Sequence, residues 1–327
     1  MFIRFFKSNN ASSFVFLPFI ALAIWVFAFI APSVLPVKHT MPLYELIAGV
    51  FTRIPRLNTF IAFILLMGEA FLLNYIVTKN EVLTKQSYLP ALFYILFMSN
   101  NNAMLTLYPP LFSNLFLLFA FNKLLSSYRK DIAFSQAFDA GLLVSIATLF
   151  YFPVVVFLPL LGIGFILLRP FNWREWVISF IGVIIPYLFV ITFYFWNDTL
   201  DYLWYDKIFF SVLHEKPNLD FPKSFYFMLG IGWLIVLFSF GKILGSLNSG
   251  AQRSKKGVVL LIWFFIFSGL SVVIAPEIST KYFVPMAIPT SVFCANFFLN
   301  IKKQWWAELL FLLLLASVFV NLIGYYF

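Results

Sequence analysis

The stretch Asn58–Val77, NTFIAFILLMGEAFLLNYIV, decides how the chain is read. It is 20 residues long and carries one charge, Glu69. About 20 apolar residues in a helix cross the ~30 Å hydrocarbon core of a bilayer. Such runs recur along the sequence. Of the 327 residues, 62% are hydrophobic and 11% charged, against about 25% charged in soluble domains. Mean hydropathy is +0.95. A water-soluble domain cannot hide this much apolar surface, so the composition reads as an all-α, polytopic transmembrane bundle. Soluble enzymes, DNA-binding domains, disulfide scaffolds and disordered chains are excluded.

Working outward from this stretch, apolar runs fall at about Phe14–Val37, Tyr88–Met98, Ala103–Phe121, Gly141–Leu168, Trp176–Phe195, Ser224–Phe240, Val258–Ile274, Tyr282–Asn300 and Trp305–Phe327. Gly141–Leu168 is long for one crossing, short for two, and interrupted by Pro153 and Pro159. Charge resolves it. Counted as two crossings, it gives eleven spans, with fifteen Lys/Arg on the cytoplasmic side and seven outside. Counted as one, it gives eleven and eleven. Basic residues collect in cytoplasmic loops, which favours eleven spans with a cytoplasmic N-terminus in the inner membrane. The same rule accounts for the net charge of +9 without a nucleic-acid partner. The run after Arg4 and Lys7 is too long for a cleaved signal sequence and reads as an uncleaved first span. The chain is expected to be one integral membrane domain, 1–327, with a helical module over 14–195, an outer loop over 196–223 and C-terminal spans over 224–327.

Two segments outside the spans have helical periodicity. Leu43, Ile47, Phe51 and Ile54 share one face, and so do Leu200, Leu203, Trp204, Ile208, Phe209 and Val212. Both read as interfacial helices on the outer leaflet.

No phosphate-cradling glycine loop, HExxH, CxxC or GxSxG is present, no metal site can be argued from His39 and His214, and no cofactor is evident. Three groups of residues could carry chemistry. Glu69 sits in mid-span, where a carboxylate is costly and faces a bundle interior or wet cavity. It reads either as a proton relay or ion site, or as a hydrogen-bonding group paired with Asn74 or Asn114 on a neighbouring helix. The first outer segment gathers Lys38, His39, Arg53 and Arg56 around Glu45; its cations suit a lipid phosphate and Glu45 a general base, while the plainer reading is a solvated helix face with snorkelling side chains. The second outer segment carries Asp198, Asp201 and Asp206 among Tyr202, Trp204 and Tyr205, which suits sugar stacking and acid–base work or an ordinary polar loop. Ser99–Asn102 and Tyr108-Pro109-Pro110 read as a hairpin turn or the lining of a lipid-entry groove.

His39-Thr40-Met41-Pro42-Leu43-Tyr44 resembles the H-x-P-P-L-Y region of GT-C membrane glycosyltransferases. Pro109–Leu118 resembles their fourth span, followed by the basic turn Arg129-Lys130 and a hairpin ending at Arg169. The resemblance covers about Phe14–Phe195. The whole chain also resembles an uncharacterised family of polytopic membrane proteins from Bacteroidota. The GT-C likeness implies a polyprenyl-phosphate-linked or polyprenyl-diphosphate-linked sugar donor, transfer at the outer face, and a first-loop acid that activates the acceptor. Glu45 is the residue that would do this, with Lys38, His39, Arg53 and Arg56 on the phosphate. The chain departs from that pattern in three ways. Pro32–Lys38 contains no acid, Met41 replaces the first proline, and no large C-terminal soluble domain is expected. The chain therefore reads as an active or degenerate transferase on a polyprenyl-linked glycan. The alternatives are a non-catalytic subunit of an envelope secretion, motility or polymer-export assembly, and a proton-coupled transporter using Glu69.

Overall fold

A computed structural model of the protein describes residues 2–7, 11–32, 40–51, 54–209, 251–275, 280–301 and 303–326, and part of 226–241. Among the described residues there is no strand; the fold is helical throughout. The helices are α1 (Phe2–Phe6), α2 (Ala11–Ile30), α3 (Pro42–Phe51), α4 (Pro55–Lys79), α5 (Leu89–Met98), α6 (Pro109–Ser126), α7 (Phe134–Phe150), α8 (Leu158–Leu168), α9 (Trp173–Trp196), α10 (Leu200–Tyr202), α11 (Gln252–Ile274), α12 (Val284–Asn300) and α13 (Gln304–Tyr326). A 3₁₀ turn, Phe152–Phe157, leads into α8, and a π turn, Leu203–Phe209, extends α10. Among the described residues, six helical stretches are long and apolar enough to cross a membrane: Ser12–Ile30, Pro55–Lys79, Trp173–Trp196, Gln252–Ile274, Thr280–Asn300 and Gln304–Leu322.

Side-chain contacts sort the loops onto two ends of the bundle. At one end, Arg169 Nη2 donates to the carbonyl of Asp131 at 2.9 Å, and Arg253 Nη2 to Asn80 Oδ1 at 3.1 Å. Ser254 Oγ donates to the Val82 carbonyl at 3.1 Å, and Lys256 lies 5.5 Å from the Tyr128 ring centre. At the other end, Tyr44 bonds Leu107, Glu45 pairs with Lys207, and Tyr151 stacks on Tyr282. The chain therefore leaves the first end after Asp131 and returns to it at Arg169. Residues 134–168 form a hairpin of α7 and α8. The first end carries the basic loops, and Arg169 is buried there in an ion pair with Glu175 of α9, Nη1 to Oε1 at 2.9 Å.

The helix bounds correct the sequence reading in two places. The first span ends at Ile30 rather than Val37; residues 33–39 lie outside the described residues. The fourth run does not begin at Ala103. Pro109 and Pro110 occupy the first helical positions of α6, where their missing N–H groups cost nothing. The residue before a proline is pushed out of helical geometry, and Tyr108 is accordingly extended (φ −148°, ψ 155°). Residues 99–108 are left as an irregular segment containing a single 3₁₀ turn, Asn102–Met104. The run over 224–240 lies largely outside the described residues, but Ser239 Oγ donates to the Phe293 carbonyl at 2.7 Å and so ties it to α12.

α5 is the hub. It is only 10 residues long, and Leu89–Leu96 are all buried. α9, by contrast, is exposed along most of its length, with Phe180, Leu188, Phe189, Phe193 and Trp196 on its outward face. It is held to α7 by two close approaches: a Cβ on Gly141 would strike the Ser179 carbonyl, and one on Gly182 the Phe138 carbonyl. Small residues at such crossings let membrane helices pack backbone to backbone.

Candidate functional site

The helical spacing of α4 places Ala62, Leu66, Glu69, Ala70 and Leu73 on one fully buried face. Glu69 is 0% exposed, and its carboxyl meets α5 and α6. Tyr94 Oη donates to Glu69 Oε2 at 2.7 Å. Asn114 Nδ2 donates to the same Tyr94 oxygen at 3.0 Å and to the Val284 carbonyl of α12 at 3.1 Å. The sequence-selected pair Glu69 and Asn114 thus meet, but through Tyr94. Asn74 is buried and makes no hydrogen bond to Glu69. Tyr94 was passed over because a tyrosine inside Tyr88–Met98 reads as apolar filler; the signal available was that a phenol at that depth needs a polar partner.

Above this cluster, irregular backbone runs through the bundle. Such backbone is tolerated at membrane depth only when buried in protein or lining a cavity. Four of its polar groups are taken by four other helices. Trp25 Nε1 of α2 donates to Ser99 Oγ at 2.9 Å. Asn321 Nδ2 of α13 donates to Asn100 Oδ1 at 2.9 Å. The Leu107 N–H donates to Asn58 Oδ1 of α4 at 2.7 Å, and Tyr44 Oη of α3 to the Leu107 carbonyl at 3.0 Å. The 99–108 segment is therefore a largely buried connection between α5 and α6, clasped by α2, α3, α4 and α13.

At the same end, the two interfacial segments meet. α3 presents Glu45 and the π turn presents Lys207; Lys207 Nζ lies 2.7 Å from Glu45 Oε2 and 4.9 Å from the Tyr202 ring centre. The lysine is 3% exposed, while the Glu45 side chain is half-exposed. Burial works against the ammonium, but its bonds to Glu45 and Tyr202 outweigh that and hold its pKa above the usual lysine range. Nothing in the sequence separates Lys207 from an ordinary solvated lysine.

Directly beneath is an apolar groove of about 390 Å³. Met41, Leu203, Trp204 and Ile208 roof it; Leu149, Val155 and Leu158 form one wall and Val183, Tyr187 and Leu188 the other. A second groove of about 420 Å³ shares Leu158 and Val183 with it and runs between α8 and α9 to Trp176. Together they make a hydrocarbon-lined trough along α9, with the Lys207–Glu45 pair next to the residues that roof it.

The other sequence candidates are placed as follows. Lys38, His39 and Arg53 lie outside the described residues. Arg56 is exposed in the first turn of α4. Asp198 and Asp201 are exposed and Asp206 half-buried, and among the described residues no three of His, Cys, Asp and Glu come together. Of the first-loop face, Leu43, Ile47 and Phe51 pack against the core, whereas Ile54 is 53% exposed.

No curated protein and no solved structure is significantly similar to the chain. A family profile does match, over residues 36–327, which takes in every element from α3 to α13. The chain belongs to that family, DUF6427, a family of unknown function.

Proposed function

We propose that this is an eleven-pass inner-membrane protein that handles a polyprenyl-phosphate-class lipid at its outer face, as a GT-C-like transferase in active or degenerate form. The observation that carries this reading is the buried Lys207, paired with Glu45, at the head of a trough lined with hydrocarbon. A long-chain lipid has that same division, an anionic head and an apolar tail. The trough's volume is in the range of small-molecule sites. A phosphate is a stronger partner for an ammonium than a single carboxylate. On binding, it would take Lys207 and leave the Glu45 carboxylate free to accept a proton from an acceptor hydroxyl. Arg56, and Arg53, Lys38 and His39 on the same outer segment, would add positive charge at the membrane surface.

The eleven-pass topology is supported by parity. The Glu45–Lys207 pair puts α3 and the π turn at one end, so an even number of crossings separates them. α4 to α9 supply six. The basic loops then face the cytoplasm.

Native mass spectrometry from mild detergent tests the reading. The expected result is one polyprenyl phosphate or its sugar conjugate bound per chain; a spectrum holding bulk phospholipid alone would overturn it. Glu45→Gln should keep the lipid in either form of the protein and abolish sugar transfer where transfer occurs.

A further inference from the structure

The hydrogen-bond inventory at Glu69 does not close. Tyr94 spends its one proton on Glu69 Oε2, and Asn114 spends its amide on Tyr94 and Val284. Glu69 Oε1 and Asn114 Oδ1 remain as buried oxygens with no side-chain donor; the Leu115 N–H of α6 is the backbone group beside the Glu69 carboxyl. Both side chains bond one phenol oxygen, so the two unused oxygens belong to a single cluster. Tyr108 lies within electrostatic range of Glu69, and its buried hydroxyl also has no partner. Among the described residues, no Lys, Arg or His pairs with Glu69; Tyr94 and Tyr108 are the titratable groups that face it. Buried acceptors without donors are costly, and a carboxylate in a bundle interior needs positive charge.

A cavity of about 70 Å³, lined by Met98, Met104, Phe283, Val284, Ala287 and Thr290, lies against Val284, whose carbonyl Asn114 holds.

We propose that Glu69, Asn114, Tyr94 and Tyr108 form an internal binding site for a monovalent cation, a proton or sodium. The ligand supplies the positive charge that the protein leaves out. This site is separate from the outer lipid site and stands without it.

Dicyclohexylcarbodiimide, a small apolar reagent, tests the site on the full-length protein in mild detergent. A carboxylic acid adds across one C=N bond to give an O-acylisourea, which rearranges to a stable N-acylurea without further reactant. Glu69 should be modified in the folded protein, more slowly as pH rises, and Glu69→Gln should lose the adduct. Slowing by sodium but not by choline at fixed pH assigns a sodium site; no sodium effect assigns a proton site. Tyr108→Phe, which removes one hydroxyl at nearly constant volume, should change the rate several-fold. The proposal fails if Glu69 is modified only after denaturation in dodecyl sulfate, because the cluster is then a closed structural network.

Discussion

Arg169→Met should be among the most damaging single changes in the protein. The Arg169 and Glu175 side chains are 5% and 1% exposed, and the arginine also holds the Asp131 carbonyl. Removing the cation leaves a carboxylate buried without compensation, which costs about 3–5 kcal/mol in comparable pairs. The position of the pair raises the damage. It joins the loop before α7, the end of α8 and the start of α9, so the whole hairpin loses its anchor at the basic end. A fall in the melting temperature of the detergent-solubilised protein, read by intrinsic tryptophan fluorescence, checks this. Arg169→Met combined with Glu175→Met should recover most of the loss, since an apolar pair of similar volume needs no partner. If the single variant melts with the wild type, the ion pair contributes nothing to holding the hairpin.

The second large effect is on the proposed lipid site. Lys207→Met should reduce retained anionic lipid about tenfold to a hundredfold, the equivalent of losing one charge-assisted bond. Lys207→Arg should keep most of it. The pH dependence follows from the raised lysine pKa. A raised folded-state value means the charged form is favoured on folding. The stabilisation is therefore present in full below the ordinary lysine pKa and lost as pH climbs through the higher folded value. Lipid retention and the attachment of the π turn should persist beyond the pH at which a free lysine discharges, and then fall together. Equal lipid content in wild type and Lys207→Met across that range would remove Lys207 from the site.

How much of this was legible in the sequence depends on the kind of signal involved. Apolar runs and punctuation are local, and they gave most helices within a few residues. The α7–α8 break was legible in Pro153 and Pro159, and the Arg169–Asp131 contact brings the two ends of the hairpin together. The start of α6 was missed although Pro109-Pro110 marks it, because the apolar run continues upstream through Met104, Leu105 and Leu107. Glu69 stood out by depth alone. Its partner Tyr94 did not, because hydropathy weighs a tyrosine by its ring and the hydroxyl decides its role here. Lys207 was invisible for the opposite reason. Its charge placed it among solvated loop residues, and only the fold shows a distant Glu45 over its head and an apolar trough beneath it. Long-range pairing of this kind leaves no periodicity to read.

The central claim is that a lipid chain lies between α8 and α9 with its head at Lys207. A polyprenyl phosphate carrying a photoactivated diazirine in its chain tests this most directly, with adducts located by peptide mass spectrometry. The account predicts adducts on trough residues such as Leu158, Val183, Tyr187 and Leu188, lost in Lys207→Met. Adducts spread over the outward residues Phe189, Phe193 and Phe195, and unchanged by that substitution, would show ordinary lipid contact and contradict it.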